Sequence, residues 1–345
     1  MSILRRPVLC ALLACLVLLG IEELVHASVR AGRAGKAITA ARAFAACLRD
    51  EQRAKLVFAF DDASRADWRY VPGDRKGLAL KELDEPQRRA AHELLGALLS
   101  AQGYLKVVGI IDLENTLREI EHNDGRDPGR YWIAFYGEPG SAAWMVRFEG
   151  HHVSLNLSGR ESEFEGLTPL FLGTNPAIVG SGPHAGLRIL RREEELAREL
   201  YLGLPEAQRA RATLAGEVPE DVILSPGRAG CFEKPEGLAF AELSAPARDT
   251  AWALVDEIVG DLAPEAAAPE RARLVAAGPE KLFFVWCGGT QASERHYWRI
   301  SSPQAAFELD NVQGGANHVH RLWRDKEHDL GGDALLEHSR AEHRR

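Results

Sequence analysis

A chain of 345 residues, 46% hydrophobic and 27% charged, is long enough to bury a sizeable core and too ordinary in composition for wholesale disorder, collagen or a multi-spanning membrane protein. Forty-two Lys and Arg against 50 Asp and Glu give a net charge of −8 with no long basic run. That excludes the electrostatic footprint of a nucleic-acid binder.

The first 27 residues read as an export signal. Arg5 and Arg6 form a charged start, Pro7 to Gly20 is an apolar run, and Val25-His26-Ala27 is a small-residue cleavage pattern. The run is shorter than the roughly 20 residues a spanning helix needs, and no later segment approaches that length. The expectation is a periplasmic or extracellular protein beginning at Ser28, with no membrane contact beyond the signal. Leu12-Leu13-Ala14-Cys15 resembles a lipoprotein signal, but Leu16 to Gly20 stays apolar where a polar tether should follow, so a lipid or signal anchor is the lesser alternative. Removing 1–27 leaves Cys47, Cys231 and Cys287. No pair has CxxC spacing, which argues against thiol oxidoreductases, zinc knuckles and covalent haem; one disulfide with one buried thiol is the plain expectation.

The chain then repeats itself. Gly77 to Leu94 aligns without a gap on Gly237 to Leu254, with nine of eighteen positions identical, and Leu48 to Ala54 aligns on Leu204 to Ala210. Tyr131 to Leu157 can be laid on Phe283 to Leu309, bringing Arg147 onto Arg299. The spacing predicts an α+β protein in one large domain over 28–345. Two duplicated helix-plus-antiparallel-sheet units, about 37–160 and 193–312, would pack as a pseudo-symmetric pair, with a linker over 161–192 and a His-rich C-terminal segment over 313–345.

Within a unit the order is helix, Gly/Pro-containing connection, second helix, strands. The second helix is announced by Asp84 before Pro86, and by Ser244 before Pro246. Ala90, Leu94, Leu95, Leu98 and Leu99 form its apolar stripe. Tyr131 to Tyr136, Gly137 to Gly140 and Ala143 to Phe148 read as a hairpin, repeated around Gly288-Gly289. Gly166 to Leu190 reads as an irregular linker; Gly180, Gly182 and Gly186 only loosely suggest a phosphate loop, because Pro183 intervenes and no βα unit precedes them.

A scaffold needs its core in both copies, whereas a site needs its special residues once, so the unrepeated histidines stand out. His151-His152 falls on Pro303-Gln304, and six of the twelve histidines lie beyond residue 295. His318 and His320 are two apart, which in an extended segment turns both rings to one side. Val153, Leu155 and Leu157 alternate with His152, Ser154 and Asn156, which favours His152 over His151 as a ligand. Glu308, Asp310, Asp325 and Asp329 are candidate carboxylates, and His338 could complete the set. Three imidazoles with an open position suit a single zinc, iron or copper ion; hydrogen-bonded pairs and a solvated charge run over Arg324 to Asp329 are the structural alternative.

Known signatures are missing: no HExxH, no Asp-His after the His-x-His, no glutamate at cupin spacing, no Gly-x-Ser-x-Gly. Cys287 reads as core or disulfide. Arg147 and Arg299, being repeated, read as structural, paired with Glu149 or Glu308. Trp132, Trp144, Trp286, Trp298 and Trp323 read as packing, with an aromatic rim for a sugar or aromatic ligand as the alternative.

The strings WRYVPGDRKGLAL, YWIAFYGEPG, VRFEGHHVSLNL, TPLFLGTNPA, GLRILRREEELAREL and NHVHRLWRDKEHDLGGDALLEH together resemble the bacterial domain-of-unknown-function family 3500 over about residues 40–340. The resemblance implies one full-length domain, emphasises His151, His152, His318, His320, Arg324, Asp325 and His338, and supplies no reaction. The expected function is a metal-dependent hydrolase or oxidoreductase acting on a small molecule or saccharide. In it His151, His152, His318, His320 and His338 are the ligand candidates, Asp325 or Asp329 orients an imidazole or serves as general base, and Arg324 binds an anionic group. A non-catalytic periplasmic metal- or ligand-binding protein is the alternative.

Overall fold

A computed structural model describes residues 34–228, 232 and 234–332. Among them eight α-helices and twelve strands form one mixed α+β domain. The first half carries α1 (34–46), α2 (Asp50–Leu56), β1 (Val57–Phe58), β2 (Leu78–Ala79), α3 (Glu85–Leu98), α4 (Ala101–Glu121), β3 (Tyr131–Tyr136), β4 (Trp144–Gly150), β5 (Val153–Arg160), β6 (Glu163–Gly166) and β7 (Leu170–Thr174). The second carries α5 (Arg191–Gly203), α6 (Glu206–Ala212), β8 (Leu238–Ala239), α7 (Ala245–Val259), α8 (Pro264–Ala277), β9 (Phe283–Gly288), β10 (His296–Ser301), β11 (Ala305–Asn311) and β12 (Val319–Asp325).

The helix starts follow their caps. Asp84 accepts from the Gln87 amide at 3.0 Å and Ser244 from Ala247 at 3.4 Å, each with proline in the first turn. The long α4 and α8 carry no comparable signal in the sequence. Val107, Ile110, Leu113 and Leu117 on α4 are buried at helical spacing, but Gly103 and Gly109 and the short polar breaks between them blur the stripe.

One sheet runs β1-β3-β4-β5-β7-β12-β11-β10-β9-β8, antiparallel except where β1 meets β3. β7 and β12 are its middle pair. Both come from segments the sequence assigns elsewhere: β7 lies in the expected linker and β12 in the expected C-terminal segment. Leu170 to Thr174 is a short, mostly apolar run hemmed by Pro169 and Pro176, and the surrounding Gly and Pro conceal it, yet all five residues are buried. Gly180, Gly182 and Gly186 stay in an irregular stretch, and α5 opens only at Arg191.

Strand alternation sorts the sheet into two faces. One, with Ile133, Phe148, Leu155, Leu172, Trp298, Leu309 and Trp323, packs under the helices in the main core. The other is polar and is roofed by two connections. Trp68 and Tyr70 from the first, and Val222 and Leu224 from the second, close over Phe171, Ala306 and Leu322. Trp132, Trp144, Trp286, Trp298 and Trp323 are all buried and serve packing, with Trp323 also lining a groove. Among the described residues Cys47 is exposed and Cys287 buried, and they do not pair; Cys231 lies outside the described residues.

Candidate metal centre

Gly150 and Val153 are register partners, so His151-His152 is the two-residue turn between β4 and β5 and not the start of a strand. His152 sits there at φ 63°, a left-handed conformation costing a side-chain-bearing residue roughly 1–2 kcal/mol. Two hydrogen bonds hold it: its amide donates to Tyr70 O and its carbonyl accepts from the Gly173 amide, both at 2.8 Å.

His320 enters from β12 and His318 from the residue just before it. The preceding turn uses positive φ at Gly314, Gly315 and Ala316. Asn317 anchors it, taking the Ile178 amide on Oδ1 at 2.7 Å, while Asn311 Oδ1 accepts the His318 amide at 3.1 Å. Gly173 is the floor: a Cβ there would meet His152 Cγ and Cδ2 and His320 Cδ2 at 3.1 Å.

The three rings converge through their Nε2 atoms. His318 Nε2 is 2.8 Å from His152 Nε2 and 3.0 Å from His320 Nε2. A neutral imidazole has one N–H and one lone pair, and a single hydrogen on His318 Nε2 cannot point along both contacts. A cation shared by the three rings would resolve the conflict. Burial, reinforced by the neighbouring histidines, holds the His152 pKa well below its ordinary value and lowers that of His318 to about 3. Burial thus favours the neutral form of both rings, the form in which an imidazole can ligate a metal.

A model of the family described as "Protein of unknown function (DUF3500)" matches residues 31–332. The chain belongs to the DUF3500 family. No curated protein and no solved structure matches it.

In this DUF3500 chain two carboxylates stand behind the His320 ring. Asp221 Oδ1 lies 2.8 Å from His320 Nδ1, and Tyr70 OH donates to Asp221 Oδ2 at 2.9 Å. Burial alone would raise the Asp221 pKa, but the His320 hydrogen bond and charge, with the Tyr70 hydroxyl and the Val222 amide, bring it below the usual carboxylate value. Asp310, the cross-strand partner of His320, has its nearer oxygen 3.6 Å from His320 Nδ1. Burial first, then Asp221 and Glu308, push the Asp310 pKa well up. Glu308 serves structure, taking the Ile223 and Leu224 amides at 2.7 and 3.0 Å and Tyr297 OH at 2.7 Å.

Of the expected site residues, His152, His318 and His320 come together. His151 stacks on His152 at 3.7 Å between centroids but turns Nδ1 to Glu114. It lines a pocket of about 230 Å³ with Glu114, Arg126, Arg130 and Tyr131. Arg324, Asp325 and Asp329 lie farther along. β12 carries Arg324 roughly 13 Å beyond His320, where it donates to Asp329 Oδ2 and Leu224 O, both at 2.6 Å. Asp325 points to Arg273 and accepts from the Glu327 and His328 amides. It borders a larger groove, about 890 Å³, formed by α8 and Glu163 to Thr168 with none of the three imidazoles. His338 lies outside the described residues.

Arg147 holds the first roof connection, donating to Asn156 Oδ1 at 2.7 Å and to the carbonyls of Ser64 and Arg65; Glu149 is 3.9 Å away. Arg299 pairs with Glu236 at 2.8 Å, not with Glu308. The sequence reading missed Asp221, Glu114 and Gly173. An isolated acid in a Gly/Pro-bounded loop carries no spacing signal; Gly173 was discoverable only as an odd glycine inside an apolar run.

Proposed function

We propose that the chain holds a transition-metal ion on His152, His318 and His320 and uses it on a small molecule. The observation that carries this is the meeting of three Nε2 atoms, at 2.8 and 3.0 Å, with burial holding the His152 and His318 pKa values below the ordinary imidazole value. Three imidazoles with an open position suit zinc, copper or iron, and such an ion activates a bound water or an oxygen species. His318 is only half-buried, which leaves the centre reachable by a small molecule. Tyr70 and Asp221 fix the His320 ring from behind. The test is elemental analysis of full-length protein purified without chelators. At least one equivalent of zinc, copper or iron is expected, lost in the His318→Ala/His320→Ala double variant while the circular dichroism melt persists; under about a tenth of an equivalent, with no uptake on reconstitution, sinks the proposal.

We further infer that the chain is exported, on the strength of its N-terminal charge, apolar run and small-residue pattern; no described helix is long and apolar enough to cross a membrane. We also infer that the two halves are copies. Supporting this, Val57 after α2 pairs parallel with Phe135 of β3, and Thr213 after α6 pairs parallel with Trp286 of β9. Leu78-Ala79 flanks β3 as Leu238-Ala239 flanks β9, and Leu99 after α3 bridges Leu262 after α7. Halves separated within 180–186 and co-expressed should then recover a soluble one-to-one complex.

A further inference from the structure

We propose that the centre takes two cations, with the His320 ring bridging them. This rests on the three-imidazole reading above and extends it. His320 offers both nitrogens to separate donor sets: Nε2 faces His318 and His152, while Nδ1 faces Asp221 at 2.8 Å and Asp310 at 3.6 Å. Asp221, Asp310 and His320 bring one ligand atom each within 4.8 Å of one another.

Asp310 is the observation that a single-ion centre leaves unexplained. It is wholly buried on β11, and neither carboxyl oxygen closes a hydrogen bond of normal geometry among the described residues, although the Val222 and Val312 amides face it. Buried carboxyls are normally satisfied. The acids around it are: Glu308 takes a hydroxyl and two amides, and Asp221 takes Tyr70 OH, the Val222 amide and the His320 ring. A simple orienting pair, with His320 Nδ1–H donating to Asp221, accounts for Asp221 and strands Asp310. A cation between the two carboxylates and Nδ1 satisfies all three.

The two sites differ in chemistry. The three-imidazole site suits zinc, copper or iron, whereas two carboxylates and one imidazole suit zinc or manganese-like ions. Binding at Nδ1 breaks the Nδ1–H bond, leaves the electron pair on the ring as an imidazolate donor, and releases that proton to solvent.

The experiment is zinc titration of the chelator-stripped full chain, followed by desalting and elemental analysis. Wild type should retain two equivalents, and Asp310→Asn and Asp221→Asn one each, with circular dichroism melts confirming that at least one variant folds. Loaded with copper(II), wild type should lose most of its integrated paramagnetic signal through coupling across the ring, and the one-ion variants should recover it. One equivalent in wild type, unchanged in both variants, overturns the bridge and leaves the three-imidazole site standing. Two equivalents retained in either folded variant also overturn it. No uptake by wild type overturns both readings.

Discussion

Gly173 of β7 is the register partner of His320 on β12, and its missing side chain is what lets the His320 ring lie over the strand beside it. A methyl group there would meet His320 and His152 at 3.1 Å, tighter than a relaxed contact. Gly173→Ala should therefore tilt both rings, at an overpacking cost of about 1–3 kcal/mol. Zinc affinity should fall at least about tenfold while the fold survives. Calorimetric titration beside a thermal melt checks this; unchanged affinity would show that the floor does not set the ring positions.

Behind β12, on the helix face, the buried Arg321 donates to Asp261 Oδ2 at 2.8 Å, and Lys106 reaches Asp261, Glu193 and Glu257 at 3.0, 2.8 and 2.8 Å. Arg321 keeps Nε and Nη1 without partners among the described residues, so it depends on that one carboxylate. Asp261→Ala should cost about 3–5 kcal/mol by leaving a buried guanidinium uncompensated. Urea unfolding at neutral pH measures it. A loss below about 1 kcal/mol would mean Arg321 finds another partner.

The end of β12 should make stability depend on pH. The Asp325 hydrogen bond raises the His328 pKa above its ordinary value. Burial would raise Asp325, but the His328 hydrogen bond and the Arg273 charge bring it below. A raised histidine stabilises fully below its unfolded pKa and loses that contribution as pH rises through the folded value; a lowered aspartate stabilises above its unfolded pKa and loses it as pH falls. The pair therefore contributes most between the Asp325 and His328 pKa values. His328 is half exposed, so the contribution is at most about 1 kcal/mol. Melting temperature against pH should show a shoulder at the alkaline side that His328→Gln removes.

Local signals in the sequence predicted the outer parts of this fold and lost its middle. Caps at Asp84 and Ser244, the β3–β4 hairpin and the alternation in β5 are statements about neighbours a few residues apart, and they hold. β7 is too short and too flanked by proline to announce itself, and its place beside β12 is a pairing across about 150 residues. The His-x-His and the His-His pair were readable for the same local reason. Asp221, which touches His320 from 99 residues away, was not.

His151 separates ligand from neighbour at this centre. Its ring covers His152 at 3.7 Å, its Nδ1 is tied to Glu114, and its outer side lines the pocket of about 230 Å³. On the three-imidazole reading it shields the ion without binding it. His151→Ala should keep the metal stoichiometry of wild type, because His152, His318 and His320 are untouched. Widening the pocket beside His152 should nevertheless speed extraction of zinc by excess EDTA by about tenfold or more, as access rather than ligation is lost. Stopped-flow with a zinc-sensitive dye reads that rate. Loss of an equivalent in His151→Ala would instead make His151 a fourth ligand, with Glu114 as its second partner.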